Sequence, residues 1–383
     1  MNAKPATRPA RPHFSSGPCA KPPGWSPSKL ATGSLGRSHR SRLGKARLGH
    51  AIELTRHVLR VPASHRIGIV PASDTGAVEM ALWGMLGPRP ATMLAWESFG
   101  EGWVADVAKQ LRLDATVMRA PYGELPDLAA VDWSGDVVFT WNGTTSGVRV
   151  PDGDWIAADR DGLAICDATS AAFAVDLPWD KLDVATYSWQ KVLGGEGGHG
   201  VLILSERAVE RLESHVPAWP LPKIFRLTKS GKLIEGIFRG ETINTPSMLA
   251  VEDYIWALEW AEAQGGLTAL VARADANAAA VDAWVEATPW VKHLARDPAI
   301  RSNTSVCLEF APDAVGGLDE DGRRALAKRI DTLLEAEDAA YDVAGYRDAP
   351  PGLRIWCGAT VDTDDIEALG PWLNWAFEEA IDG

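Results

Sequence analysis

Lys191 is the residue whose type and setting most directly suggest chemistry. It follows an apolar, strand-like run in the segment DVATYSWQK, and five glycines lie among the nine residues after it. A lysine at the end of a strand is fixed at its root, and glycines let backbone and ligand approach closely. A buried lysine loses its charge readily, which suits it to Schiff-base formation. The alternative is a surface lysine before a glycine-rich turn.

Asp167 gives Lys191 a chemical partner. It ends the run LAICD, 24 positions before Lys191 (191 − 167), and one more strand-like run, VATYSW, lies between them. Neighbouring parallel strands end at the same edge of a sheet, where ligands bind. A pyridoxal 5′-phosphate (PLP) site needs a carboxylate that keeps the ring nitrogen protonated. Taken alone, Asp167 could instead be a helix N-cap or a turn residue.

An anion site is predicted in the segment PASDTGAVEMAL. Ser73, Asp74 and Thr75 stand where a loop enters a helix, and helix N-termini bind phosphate. A carboxylate repels phosphate, so Asp74 caps the helix or points away. A capped helix without a ligand is the alternative reading.

Aromatic and hydroxyl side chains lie in two further loops of the same region. Phe99 and Trp103 follow the apolar run ATMLAW, and either ring could stack on a pyridine ring. Thr144, in NGTTSG, could donate a hydrogen bond to a cofactor. The alternatives are core aromatic residues and an ordinary turn hydroxyl.

Positive charge is concentrated in one segment of an acidic chain whose formal net charge is −13. The run RSHRSRLGKAR, residues 37–47, includes His39 and Arg40. Arg354 is isolated in PPGLRIWCG. Arginine binds carboxylates and phosphates in a forked geometry, so these residues are candidate substrate receptors. A solvated basic face and a surface arginine on a strand are the alternatives.

The order of the apolar segments predicts an α/β fold with two domains. From Arg66 to Leu204, short apolar runs alternate with helical segments, which indicates a mostly parallel sheet. A long helix is expected over residues 247–263. After it come helical segments and the strand-like runs SVCLEF, YDVAGYR and GLRIWCG. We therefore predict a flexible N-terminal segment (1–13), a large cofactor domain (14–264) and a small α+β domain (265–383).

Composition excludes several classes of protein. A net charge of −13 argues against nucleic-acid binding, which needs a basic face. The four cysteines form no C-x-x-C pair and no zinc-ligand spacing, so we expect reduced thiols and no metal. No secretory signal and no apolar run of membrane length is present. These features are typical of a cytoplasmic enzyme.

The motifs, taken in order, resemble the phosphoserine aminotransferases, which are class V members of the fold-type-I PLP enzymes. The matching segments span about residues 14–357 and are FSSGPC, SHR, DVVFTWNGTTSG, ICDATSA, YSWQK and NTPSM. The resemblance implies a large domain with a mostly parallel, seven-stranded mixed sheet, and a smaller α+β C-terminal domain.

The resemblance also implies roles for individual residues. Lys191 would form the Schiff base with PLP, and Asp167 would pair with the pyridine nitrogen. Gln190 would contact the cofactor phosphate, and Phe99 matches the stacking aromatic better than Trp103 does. The remaining cofactor residues would be Ser73, Asp74, Thr75 and Thr144, with Asn244 and Thr245 reaching across a dimer interface. His39 and Arg40 would meet the substrate phosphate or carboxylate, and Arg354 the α-carboxylate.

The activity that the resemblance implies is reversible transamination. O-phospho-L-serine and 2-oxoglutarate would be exchanged with 3-phosphohydroxypyruvate and L-glutamate, in serine and possibly pyridoxine biosynthesis. Three alternatives stay open. One is a serine/alanine–glyoxylate aminotransferase, and another is a cysteine desulfurase-like enzyme, which needs a reactive cysteine on a mobile loop. The third is a non-catalytic PLP-binding regulator, although the chain shows no DNA-binding module.

Overall fold

The computed structural model describes residues 3–382. Met1 and Asn2, where the predicted N-terminal segment begins, and Gly383, where the predicted small domain ends, lie outside the described residues. The strands are β1 (Arg66–Pro71), β2 (Ala91–Ala95), β3 (Ala115–Arg119), β4 (Asp136–Thr140), β5 (Asn142–Gly143), β6 (Val148–Arg149), β7 (Ala164–Asp167), β8 (Val184–Ser188), β9 (His199–Leu204), β10 (Thr228–Lys229), β11 (Lys232–Leu233), β12 (Val291–His293), β13 (Ser305–Phe310) and β14 (Gly352–Trp356). The helices are α1 (Arg42–Leu59), α2 (Ser73–Met85), α3 (Ser98–Ala105), α4 (Glu206–Ser214), α5 (Met248–Ala263), α6 (Gly266–Glu286), α7 (Glu320–Ala336) and α8 (Thr363–Asp382).

A seven-stranded mixed sheet forms the centre of the molecule, in the order β1-β9-β8-β7-β4-β2-β3. The pairs among β8, β7, β4, β2 and β3 are parallel, and β9 is antiparallel to both of its neighbours. Every residue of β2, β4, β8 and β9 is buried, which explains why these strands are almost continuous apolar runs. The predicted mostly parallel α/β sheet is confirmed.

Helices cover the central sheet and hold its edge in place. Helix α2 packs on β8 and β9, and α1 packs against α5. Ser41 caps α1 by accepting a hydrogen bond from the Gly44 amide (3.1 Å). Helix α5 matches the helix expected over residues 247–263. It is separated from α6 by Gly265 in the left-handed conformation (φ 110°). The predicted domain division at residue 265 falls at this junction and stays a prediction.

The C-terminal part contains an antiparallel sheet, β12-β13-β14, with α7 and α8 packed together beside it. The expected strand YDVAGYR is wrong. This segment makes only two isolated bridges, from Tyr341 to His13 and from Ala344 to Leu353. Asp342 adopts a left-handed conformation (φ 58°), which a continuous strand cannot accommodate.

The N-terminal segment lies along the C-terminal part. Lys4 and Arg8 both pair with Glu337, and the Trp372 indole donates to the Thr7 carbonyl (2.8 Å). The Asp365 carboxylate accepts a hydrogen bond from the Ala10 amide (2.6 Å). The segment's polar residues have partners that lie more than 300 positions away in the chain. The flexibility that the sequence predicts for residues 1–13 stays a prediction.

Within residues 3–382, no helix is long and apolar enough to cross a membrane. The same part of the chain has no group of three or more acidic, histidine or cysteine side chains that could hold a metal ion.

Candidate active site

Strands β7 and β8 bring Asp167 and Lys191 to one edge of the sheet. The two strands are parallel, with Asp167 opposite Thr186, and β8 ends three residues before Lys191. Parallel strands end at the same edge, so the predicted pairing of these two side chains follows from the topology.

One cavity collects most of the predicted cofactor residues. It is lined by Ser73, Asp74, Thr75, Phe99, Trp103, Thr140, Asn142, Thr144, Asp167, Thr169, Ser188, Gln190 and Lys191. Eight of these are residues that the sequence proposes for the cofactor. The loops after β1, β2, β4, β7 and β8 supply the lining, as expected for ligand binding at the carboxyl ends of strands.

Lys191 is held by the N-terminal loop. Its Nζ donates a hydrogen bond to the Ser16 carbonyl (2.5 Å). A Cβ atom at Gly17 would lie 2.7 Å from that Nζ, so the backbone approaches the lysine closely at this glycine. Burial lowers the pKa of Lys191, and nearby Arg354 acts in the same direction. Burial therefore favours a neutral amine, the form that attacks a carbonyl carbon.

Asp167 is fixed by two N–H donors. The Thr169 amide donates to Oδ1 (3.0 Å), and the Trp103 indole donates to Oδ2 (3.1 Å). Trp103 is buried at 8% exposure, whereas Phe99 is 38% exposed and packs against Tyr346. Both side chains line the cavity, and the choice of Phe99 over Trp103 as the stacking aromatic stays a prediction.

The start of α2 is shaped by two residues in the left-handed conformation, Ala72 (φ 68°) and Ser73 (φ 53°). The Ala72 amide donates to the Gly198 carbonyl (3.1 Å), which ties this turn to the glycine-rich loop. Such strained positions cost on the order of 1–3 kcal/mol each and cluster at functional sites. Asp74 is buried, and its carboxyl group faces Asp167 rather than open solvent.

Several lining residues were not predicted from the sequence. Thr140, Asn142, Thr169 and Ser188 lie at strand ends or in the loops that follow. The Asn142 amide donates to the Ser170 carbonyl (2.9 Å), and the Thr144 hydroxyl donates to the Ser170 hydroxyl (2.9 Å). Each of these residues lies at or just after the carboxyl end of a strand. That position was the signal in the sequence, because the loops at this edge of the sheet contribute to one ligand site.

The donor set fits PLP. Five buried polar atoms near the cavity lack a hydrogen-bond partner among the described residues. They are Asp74 Oδ1, Thr169 Oγ1, Thr186 Oγ1, Ser188 Oγ and Gln190 Oε1. Buried polar groups are normally paired, so these atoms indicate a polar ligand. A lysine, a fixed carboxylate, an exposed aromatic ring and a helix N-terminus are what the ring and phosphate of PLP require.

Arg354 lies near this site on β14. Its guanidinium carbon is 5.6 Å from the centre of the Tyr346 ring, and its buried Nε has no partner among the described residues. The described residues also place no acid within ion-pair distance of it. An unpaired, partly buried arginine is suited to a ligand carboxylate.

The other predicted substrate and phosphate residues do not line this cavity. His39 is buried with Nε2 unpartnered among the described residues, and Arg40 is exposed. Asn244 and Thr245 are exposed on a segment held by a hydrogen bond from the Ser247 amide to His199 Nε2 (3.1 Å). The structure of one chain therefore leaves these four residues outside the site that holds Lys191.

Glu97 is a buried acid beside the site that the sequence analysis missed. It caps α3 by accepting a hydrogen bond from the Gly100 amide (2.8 Å), and it also accepts one from the Thr145 hydroxyl (2.7 Å). Burial raises the pKa of Glu97 to about 7. Its position directly after the ATMLAW run was the only signal in the sequence.

The chain resembles known proteins in sequence and in fold. No family model matches the chain. The phosphoserine aminotransferases of Methanosarcina barkeri and Methanosarcina mazei are each 57% identical to it, over 98% of this chain and 99% of theirs. A phosphoserine aminotransferase structure from Cytophaga hutchinsonii has a TM-score of 0.81 at 20% identity, covering 95% of this chain and 98% of that one, and supports the fold. The chain belongs to the phosphoserine aminotransferase family.

Proposed function

We propose that this chain is a PLP-dependent aminotransferase that converts O-phospho-L-serine and 2-oxoglutarate into 3-phosphohydroxypyruvate and L-glutamate, and the reverse. The observation that carries the proposal is the family membership, since relatives named phosphoserine aminotransferase match 98% of the chain. The cavity around Lys191 and Asp167 supplies the residues that the chemistry needs.

PLP, when bound, supplies an electron sink for the charge that develops at the substrate α-carbon. Asp167, held by Trp103 and Thr169, is the carboxylate that would pair with the ring nitrogen and keep it protonated. Lys191 would take the α-proton at Nζ and deliver it to the cofactor carbon that receives the amino group, and would carry it back in the reverse direction. Arg354 would orient the amino acid through its α-carboxylate. The N-terminal loop lies close to Nζ at Ser16 and Gly17 and limits the space around it.

The residues around the start of α2 are proposed to hold the cofactor phosphate. Ser73 and Thr75 contribute hydroxyl groups, and α2 contributes its N-terminal amides. Gln190 and Thr144, which line the same cavity, would also contact the phosphate, and Phe99 would stack on the ring. The carboxyl group of Asp74 faces Asp167, so we place it at the ring-nitrogen end of the cofactor.

We also propose a homodimer in which each active site is completed by the partner. Asn244 and Thr245 would reach the cofactor phosphate of the other chain, and His39 and Arg40 would bind the substrate. Two observations support this arrangement. None of the four residues lines its own chain's cavity. Arg40, Asn244 and Thr245 are exposed, and Arg40 lies close enough to Glu241 for its charge to help lower the pKa of Glu241, after the larger effect of Lys45.

The proposed reaction would supply serine biosynthesis, and we propose that it takes place in the cytoplasm. A role in pyridoxine biosynthesis would follow if phosphohydroxythreonine is also accepted. The desulfurase alternative is disfavoured because all four cysteines are buried, and burial raises the pKa of Cys19 to about 12 and of Cys307 to about 11.

Substrate specificity tests the proposal. Steady-state kcat/KM would be measured for phosphoserine, serine and alanine, with 2-oxoglutarate and with glyoxylate as acceptors. We expect phosphoserine with 2-oxoglutarate to be preferred by at least about 100-fold, because a phosphate receptor is left unpaired by serine. Preference for serine or alanine with glyoxylate would favour the alternative aminotransferase.

The variant Arg40→Ala tests the substrate receptor. We expect kcat/KM for phosphoserine to fall by on the order of 100-fold, because a charge-assisted hydrogen bond to phosphate is lost. Turnover of unphosphorylated serine should change by much less. Equal losses for both substrates would mean that Arg40 does not bind the phosphate. Arg296→Ala, at another exposed arginine, is the matched control.

A further inference from the structure

Two carboxyl groups line the cofactor cavity and lie close enough to influence each other. Asp74 is the second residue of α2, and Asp167 ends β7. Asp74 is only 7% exposed. A protonated ring nitrogen needs one negative charge beside it, so the second carboxyl group requires a separate explanation.

The hydrogen bonds of the two groups are unequal. Asp167 accepts from the Thr169 amide at Oδ1 (3.0 Å) and from the Trp103 indole at Oδ2 (3.1 Å). Asp74 Oδ1 has no hydrogen-bond partner, and no lysine or arginine pairs with Asp74, among residues 3–382. N–H donors stabilise the charged form of a carboxyl group, so Asp167 is the better place for the negative charge.

The surroundings of Asp74 oppose its ionisation. Burial raises the pKa of Asp74 well above its usual value, and the charge of Asp167 raises it further. The nearby hydroxyls of Thr186 and Thr169, from β8 and the loop after β7, lower it by less, although neither makes a well-formed hydrogen bond to Asp74. Cys166 is another titratable group close to Asp74, and its own pKa is raised first by burial and then by Asp167 and Asp74.

Glu97 and Lys191 affect this pair through Asp167. The charge of Asp167 contributes to the raised pKa of Glu97, and it favours the protonated form of Lys191. Two adjacent carboxylates cannot both ionise in a buried site, so the pair shares one proton.

We propose that Asp74 is a positioning residue that stays protonated and donates a hydrogen bond to Asp167, so that the pair presents one negative charge to the ring nitrogen of the cofactor. The inference rests on the proposed function only in naming the cofactor. The hydrogen bond from Asp74 would give Asp167 a third donor besides Thr169 and Trp103. It would also explain why an acidic residue is tolerated at a helix N-terminus that is suited to phosphate.

The first test is infrared spectroscopy of the cofactor-free protein. A protonated, buried carboxyl group has a distinct carbonyl stretch, and we expect this band in the wild type at neutral pH and its loss in Asp74→Asn. Glu97→Gln is the control, since Glu97 has a pKa of about 7 and could contribute a similar band. A wild-type spectrum that Asp74→Asn leaves unchanged would overturn the proposal.

The second test is cofactor binding, measured as the Kd for PLP and the pH dependence of its absorbance when bound. Asn keeps an N–H donor without charge, so Asp74→Asn should retain the wild-type affinity within about threefold. Asp74→Ala removes the donor and should weaken binding by about tenfold, the worth of one hydrogen bond to a charged group. It should also move the pH at which the absorbance changes.

The outcomes separate this inference from the proposed function. If Asp74→Asn behaves like Asp74→Ala, the negative charge of Asp74 is needed and the inference is wrong. If neither the wild type nor any variant acts on phosphoserine, the proposed function is wrong. The infrared band would still decide whether Asp74 is protonated. Thermal melting of each variant shows that a loss of binding is not a loss of folding.

Discussion

At the scale of single residues, the chemistry of the site depends on which ionisable side chains are buried. Lys191 is enclosed by the Ser16–Gly17 backbone, and burial lowers its pKa, whereas burial raises the pKa of Glu97. Both effects favour the neutral form. Asp167 differs because two N–H donors hold it, and its ionised form is the one that the ring nitrogen needs.

The raised pKa of Glu97 predicts how the stability of the fold depends on pH. Its pKa rises from 4.5 to about 7 on folding, so its stabilising contribution is present below pH 4.5 and is lost as the pH rises through 7. Gln keeps the acceptor for the Gly100 amide but cannot ionise. We expect Glu97→Gln to gain stability relative to wild type by on the order of 2–3 kcal/mol between pH 4.5 and pH 8.

Urea unfolding of the cofactor-free proteins at several pH values measures this difference. A stability difference between the two proteins that stays constant across the range would show that Glu97 does not titrate in it.

At the scale of elements, the site depends on the contact between the start of α2 and the glycine-rich loop after Lys191. The Ala72 amide binds the Gly198 carbonyl, and Gly200 at the start of β9 lies against the Ser73 backbone. This contact sets the left-handed turn that aims the N-terminus of α2 into the cavity.

Gly200→Ala should disturb that turn. The added Cβ would lie 2.2 Å from the Ser73 carbonyl oxygen, and backbone cannot move aside as a flexible side chain can. We expect a loss of about 1–3 kcal/mol in stability and PLP binding weakened by about tenfold or more. Gly197→Ala is the matched control, because its Cβ would have no neighbour closer than 3.9 Å. Similar effects of both variants on PLP affinity would count against this account of the turn.

The elements were largely predictable from the sequence, and the contacts were not. Each strand of the central sheet is an apolar run that ends in a polar loop, so Lys191 and Asp167 could be placed at one edge. The YDVAGYR prediction failed because Asp342 is left-handed, which composition does not reveal. The Lys191–Ser16 and Trp103–Asp167 hydrogen bonds join residues 175 and 64 positions apart, and local patterns carry no signal for such pairs.

At the scale of the whole molecule, we propose that two chains together complete each site. A mixture of Lys191→Ala and Asn244→Ala chains tests this directly. A mixed dimer has one site with an intact lysine and the partner's intact asparagine, so activity should return to about a quarter of wild type after random mixing. Recovery would be absent if Asn244 served its own chain's site. Each variant refolded alone is the control.

The central claim is that Lys191 and its cofactor exchange an amino group with phosphoserine. The most direct measurement follows the visible absorbance of the PLP-loaded protein after O-phospho-L-serine is added without any keto acid. We expect the absorbance to fall by an amount equivalent to the number of sites and to return when 2-oxoglutarate is added. In Lys191→Ala, which lacks the base, phosphoserine should not convert the cofactor to its amine form. Absorbance that does not respond to phosphoserine but falls with serine or alanine would contradict the account.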